Sequence, residues 1–266
     1  MQPDPAQDPA VTYHAADAIG VITLRRPDNR NSMTPELLAA FSQAVAQARA
    51  DQTARCIVIT GTGPCFSAGA DFRSMVQLPG AGPLPHQRSF AMYEPFLSVL
   101  DLEVPVIGAL NGHAVGGGFG LALVCDLRIG ALEGRYGANF VRLGLHPGMA
   151  ITYLLPRLVG AAAAAELLFT GRLVQGDEAL RLGLVSRAVP AAEVLATAME
   201  LAREIASAAP LAVRLTKRSL RRSLSWDARD AALREALVQA ETLETEDAQH
   251  GIESLLSKQT PTFTGR

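Results

Sequence analysis

The sequence predicts an α/β body followed by a helical C-terminal section. In the first half, apolar strand-like runs alternate with segments of helical periodicity. From about Met149 onward almost every segment has a helical pattern, apart from the short extended "LVSRAVP". Size agrees, because 266 residues, 48% of them hydrophobic, can bury a large core as one domain or one domain with an appendage.

The elements follow in order. "AIGVITLRRP" (Ala18–Pro27) is rich in β-branched residues and is stopped by Pro27 and the polar turn Asp28–Ser32. Thr34 suits a helix N-cap and Pro35 the first helical position, with apolar residues recurring at Leu37, Leu38, Phe41, Val45 and Ala48. "RCIVITG" (Arg55–Gly61) is apolar throughout, as expected of a strand covered on both faces. The loop "GTGPCFSAGAD" and a Pro/Gly-rich stretch, Leu78–Pro85, lead into a helical pattern through Phe90, Phe96 and Leu100. "VPVIGALNG" (Val104–Gly112) is a second buried strand, followed by "HAVGGGFGLALVCD", a glycine turn that opens a helix. "LRIGA" (Leu127–Ala131) is a further strand.

The formal net charge is −2, which offers no electrostatic reason to expect nucleic acid as a partner. One local exception is the basic group Arg25, Arg26 and Arg30. Cys56, Cys65 and Cys125 have neither CxxC nor His-rich spacing and read as small buried hydrophobes, with no metal site and no disulfide framework. The N-terminal "MQPDPAQDPA" reads as a disordered leader over residues 1–10, without the features of a signal peptide. No run reaches the roughly 18 apolar residues of a membrane span. A cytoplasmic protein is the resulting expectation.

The chemistry-bearing pattern is a repeated one. After the strand "CIVITG" comes "FSAGAD", and after "PVIGALNG" comes "AVGGGFG". Each loop puts small residues at a helix start, where backbone N–H groups lack intrahelical partners. One such turn binds a phosphate, closes a tight turn or simply packs. Two of them suit N–H groups that converge on one carbonyl oxygen, an oxyanion hole that side chains must not obstruct. A nucleotide loop fits poorly, because "GGGFG" lacks GxGxxG spacing and no GxxxxGK[ST] occurs.

These residues resemble the enoyl-CoA hydratase/isomerase (crotonase) family. The likeness runs from "ITLRRPDNRNSM" through "FSAGAD", "NGHAVGGGFGLALVCDLRI", "RLGLHPGMAITYLLPRLVG" and "ELLFTGRLVQGDEALRLGLVSRAVP" to the tail "GIESLLSKQTPTFTGR". It implies a spiral of ββα turns over residues 11–200 and a helical trimerisation region over 201–266, giving a homotrimer or a dimer of trimers. It also implies an acyl-CoA substrate, with coenzyme A arriving as part of that substrate and no permanently bound cofactor. Carried over residue by residue, the N–H groups of Ala70 and Gly117 would hold the thioester oxygen, with Gly69 and Gly116 beside them. The Ala68 carbonyl and Asp71–Phe72 lie where relatives meet adenine and pantetheine. Arg26 and the turn Asp28, Asn29, Arg30 match another CoA-contacting segment, with a solvated loop as the plainer reading. Lys258 matches a tail lysine that in relatives reaches CoA phosphate from a neighbouring subunit. Met75, Phe119 and Phe140 would line a dry acyl pocket.

The pattern breaks at the proton-transfer groups. Hydratases resembling this chain carry two glutamates, and those positions are Gly120 and Phe140 here. A third carboxylate position, used by isomerase relatives, falls on Gly148. Simple water addition is therefore not expected. His146 is the candidate base or acid, with a cap on the turn before Pro147 as its structural alternative. His86, Tyr93 and Glu94 stand on the helix after the Pro/Gly-rich loop, a region that closes over substrate in relatives. His113 reads as packing, Asp126 as a structural cap or ion pair, Asp71 as the cap of a helix beginning at Phe72, and Glu133 as a surface residue. Two functional readings stand: an enzyme that stabilises a thioester enolate (isomerase, decarboxylase or hydrolase), and a non-catalytic acyl-CoA binder.

Overall fold

The computed structural model describes residues 8–71, 84–223, 237–257 and 259–266. Its strands are β1 Val11–Ala16, β2 Ile19–Leu24, β3 Cys56–Gly61, β4 Cys65–Ser67, β5 Val106–Leu110, β6 His113–Val115, β7 Leu127–Ala131, β8 Arg135–Gly137, β9 Val174–Gln175 and β10 Arg187–Val189. They form a larger sheet in the order β1-β2-β3-β5-β7-β10 and a smaller one in the order β4-β6-β8-β9. In the larger sheet only the β1–β2 hairpin is antiparallel. Three successive turns of chain each lay one strand in each sheet: β3 then β4, β5 then β6, β7 then β8. The strands of each set run parallel, so the chain advances as a spiral of ββα turns.

Both faces of the larger sheet are covered, which is why β3 reads as an unbroken apolar run. Ile57 and Ile59 enter one core with helix α1 (Pro35–Ala50) and helix α2 (Pro85–Leu97), where the rings of Phe41 and Phe96 meet edge-on at 4.9 Å. Cys56 and Val58 enter the other, beneath helix α7 (Val194–Ala206). Further helices are α3 Gly117–Val124, α4 Ile151–Val159, α5 Ala161–Thr170, α6 Gly176–Arg181, α8 Pro210–Ser223 and α9 Glu246–Ser257.

The boundary expected between residues 200 and 201 falls inside α7. An alanine stripe, Ala198, Ala202 and Ala206, keeps that helix on the sheet, so the packed body continues to Ala206. Residues 1–7 of the expected leader lie outside the described residues. Asp8 and Ala10 already touch the body: Asp8 pairs with Arg25 at 3.2 Å, and the Ala10 carbonyl accepts from Arg25 N at 2.8 Å. The C-terminal tail also returns to it, since Arg55 donates to the Phe263 carbonyl at 2.8 Å. All three cysteines are free and buried, and burial pushes the thiols of Cys56 and Cys125 up to about 12. Among the described residues no helix is long and apolar enough to cross a membrane.

Candidate active site

The two glycine loops leave adjacent strands of the smaller sheet and meet. Beyond β4 the chain turns at Gly69, whose φ is +83°, and Ala70 pairs with Met33 through an isolated bridge. Met33 N donates to the Gly69 carbonyl at 2.8 Å and Ala68 N to the Arg30 carbonyl at 3.0 Å. Beyond β6, Gly116 takes φ +57° and caps α3, with its own N–H given to the Gly137 carbonyl at 3.0 Å.

Contact between the loops explains the glycines. A Cβ on Gly69 would lie 2.6 Å from the Val115 carbonyl oxygen and 2.7 Å from the Gly117 nitrogen. One on Gly118 would overlap the Ser67 carbonyl. The start of α3 is therefore pressed main chain to main chain against the "SAGA" loop, and only glycine leaves the room.

Asn31, fully buried, holds the outer side of this loop. Its amide oxygen accepts from Arg26 N at 2.8 Å, and its nitrogen donates to the carbonyls of Thr62 at 3.0 Å and Cys65 at 2.8 Å. Among the described residues no acceptor takes the N–H of Ala70 or of Gly117. The Gly117 donor stands at the first turn of a wholly buried helix, where partial positive charge favours an oxygen ligand.

Hydrophobic and phenolic groups stand against Gly120 and Gly148. A Cβ on Gly120 would overlap that of Met149 and lie 3.0 Å from its Cγ. One on Gly148 would overlap the Tyr93 hydroxyl and lie 2.6 Å from the ring carbon that bears it. Gly116 faces the Asn139 amide oxygen at 3.7 Å and the Phe140 ring at 3.9 Å, both measured from where its Cβ would be. Met149 and Ala150 hold φ near +59° and +55°, a left-handed pair that L side chains adopt at a cost of roughly 1–2 kcal/mol each.

A profile of the enoyl-CoA hydratase/isomerase family matches residues 14–266. The chain belongs to that family. The short-chain-enoyl-CoA hydratase of Clostridium acetobutylicum is 35% identical over 243 residues, 90% of this chain and 92% of that one. The (E)-benzylidenesuccinyl-CoA hydratase of Thauera aromatica is 34% identical over 260 residues, covering 96% and 99%. The crystal structure of an enoyl-CoA hydratase from Bacillus anthracis superposes with a TM-score of 0.90 at 32% identity, covering 97% and 100%.

In this member of the enoyl-CoA hydratase/isomerase family the expected site residues are distributed unevenly. Ala68, Gly69, Ala70, Gly116 and Gly117 come together, with Gly120 further along α3 and the Phe140 ring, from a separate 3-10 turn, against Gly116. Phe119 is 1% exposed and belongs to the main core. Arg26 is spent within the protein, on Glu36, the Arg25 carbonyl and the Asp8 carbonyl. Asp28 and Asn29 lie in an exposed 3-10 turn that ends on a left-handed Arg30. The helix expected to begin at Phe72, together with Met75 and Lys258, lies outside the described residues.

His146 is exposed, with its Nδ1 bonded to the Pro147 carbonyl at 2.7 Å. This is the turn-capping alternative, and His86 and Glu94 are exposed on α2. His113 accepts from Arg135 N at 3.1 Å, and burial, then Arg135 and Arg30, lower its pKa. Asp126, at the far end of α3, receives Val106 N at 2.8 Å, Lys217 at 2.7 Å and Arg221 at 3.0 Å. Glu133 accepts from Ala191 N at 3.0 Å. Asn139 and Met149 are neighbours of the site that the sequence analysis missed. Asn139 had one usable signal, its place directly before Phe140.

Proposed function

We propose that the protein binds an acyl-CoA thioester and stabilises its enolate, with the N–H groups of Ala70 and Gly117 donating to the thioester oxygen. The observation that carries this reading is the main-chain contact between the Gly69–Ala70 loop and the start of α3, with two N–H groups left without acceptors among the described residues. Two preorganised donors aimed at a developing oxyanion contribute about 3–4 kcal/mol each to transition-state stabilisation. Met149 and Phe140 form an apolar wall that strengthens such bonds by excluding water. Coenzyme A enters as part of the substrate, with Ala68, Asp71 and the Asp28–Arg30 turn on its path. The C-terminal helices assemble a homotrimer or a dimer of trimers.

Hydration needs carboxylates within hydrogen-bond reach of a water molecule, and Gly120, Phe140 and Gly148 supply none. Calorimetry tests the binding half: acetyl-CoA is expected to bind more tightly than free CoA, and equal affinity removes the oxyanion reading. Loss of enoyl absorbance tests the other half, with crotonyl-CoA hydration expected to be negligible; rapid hydration would show that another group activates water. The same missing carboxylates favour a second reading, a non-catalytic binder, which fails as soon as any thioester is turned over.

A further inference from the structure

We infer that the protein carries a second binding site, for a phosphate group, in a cleft between α8 and the segment that leads into β5. Arg214, half-buried on α8, is its anchor. Among the described residues the Arg214 guanidinium makes no hydrogen bond and no ion pair, although its Nε is shut off from solvent. A buried donor left without an acceptor is costly, and an oxyanion drawn to the guanidinium offsets that cost. The planar fork of arginine suits the paired oxygens of such a ligand.

Arg214 stands on the wall shared by two clefts, one of about 310 Å³ and one of about 190 Å³. Their charges decide between them. In the larger cleft Asp51, Asp101 and Glu103 outnumber Arg49 and Arg214, which repels an anion. The smaller cleft is lined by Arg214, Lys217, Arg218, Arg221 and Arg222, whose spacing of three and four puts them on one face of α8. Two carboxylates, Asp101 and Glu103, oppose them there, and Asp126 pairs with Lys217 and Arg221. Five cations against three carboxylates leave an excess of two positive charges. A phosphate group near pH 7 carries about that much negative charge, and a carboxylate only half of it. Glu103 is a weak competitor, since it reaches Arg218 only at 3.6 Å. The place is also distinct. Val104 and Asp126, beside this cleft, directly precede β5 and β7, whereas the glycine loops lie at the other end of α3.

Inorganic phosphate is the probe, with glycerol 3-phosphate as an ester and chloride at matched ionic strength as the control. In calorimetry wild type is expected to bind phosphate, and Arg214→Gln to bind it about 10-fold more weakly or worse. Arg214→Lys keeps the charge but loses the fork, and should fall between the two. At phosphate about ten times its Kd, wild type should melt about 3 °C higher than in chloride, a gain that Arg214→Gln lacks. In chloride the variant should melt within about 2 °C of wild type, because no internal partner is lost. No phosphate binding, or equal binding by wild type and Arg214→Gln, overturns the site. So does a large loss of stability of Arg214→Gln in chloride, which would make the guanidinium a structural group. Saturating acetyl-CoA should leave phosphate affinity unchanged, and displacement would place the phosphate in the thioester site instead. Tighter binding of glycerol 3-phosphate assigns the cleft to a small phosphomonoester, and equal or weaker binding to free phosphate.

Discussion

Met149 carries two costs that a glycine would avoid: a left-handed backbone and a side chain pressed against Gly120. The two residues are coupled, because the space one lacks is the space the other fills. Gly120→Glu would drive a new Cβ into that of Met149, which is 1% exposed and packed in the core. Overpacking of this kind costs about 1–3 kcal/mol. Met149→Gly in the same chain removes both the clash and the strain. In thermal unfolding the double variant is expected to melt above Gly120→Glu alone. Strict additivity of the two changes would show that the positions are independent.

Helix α1 shows how local chemistry sets an element's ends. At its start Thr34 Oγ1 accepts from Leu37 N at 3.2 Å, with Pro35 in the first turn. At its end the Asp51 carboxylate accepts from Thr53 Oγ1 at 2.6 Å, Thr53 N at 2.8 Å and Tyr13 Oη at 2.7 Å. These bonds, Thr53 first, favour the ionised form and hold the carboxyl down at about 2 from an ordinary 3.8. A depressed carboxylate stabilises the folded state above its unfolded value and loses that contribution as pH falls through the folded value. The wild-type contribution should thus disappear between about pH 4 and pH 2. Asp51→Asn is expected to flatten stability against pH over that interval in urea titrations. An unchanged slope would mean that the Asp51 network does not contribute.

At the scale of the molecule, α8 is bound to the sheet through one carboxylate. Asp126 follows α3 and stands at the entry to β7, opposite the end that carries the glycine loops. It receives Lys217 at 2.7 Å and Arg221 at 3.0 Å, while Lys217, only 7% exposed, also donates to the Val104 carbonyl at 2.5 Å. Arg221 reaches the Leu100 carbonyl as well. Burial lowers the Lys217 pKa against the pull of Asp126, so the ammonium depends on its partner. Asp126→Ala leaves that buried charge uncompensated and is expected to destabilise by about 3 kcal/mol in chemical denaturation. Adding Lys217→Met should recover much of the loss. A double variant no more stable than the single one would refute the account.

The sequence by itself determined what depends on near neighbours and on period. The buried strands β3, β5 and β7, the capped start of α1 and the two glycine loops each carry their signal within a few residues. So do the identities of Gly120, Phe140 and Gly148, three positions at which the family resemblance leads one to expect carboxylates. Tertiary structure alone decided the smaller sheet, whose strands of two or three residues are too short to show alternation. It also decided what occupies the places beside the glycines. Tyr93 meets Gly148, and Met149 meets Gly120, across intervals that no helical or strand period spans. The reason is physical: a glycine records that space is needed but not what fills it, and the filler comes from whichever element the fold brings near.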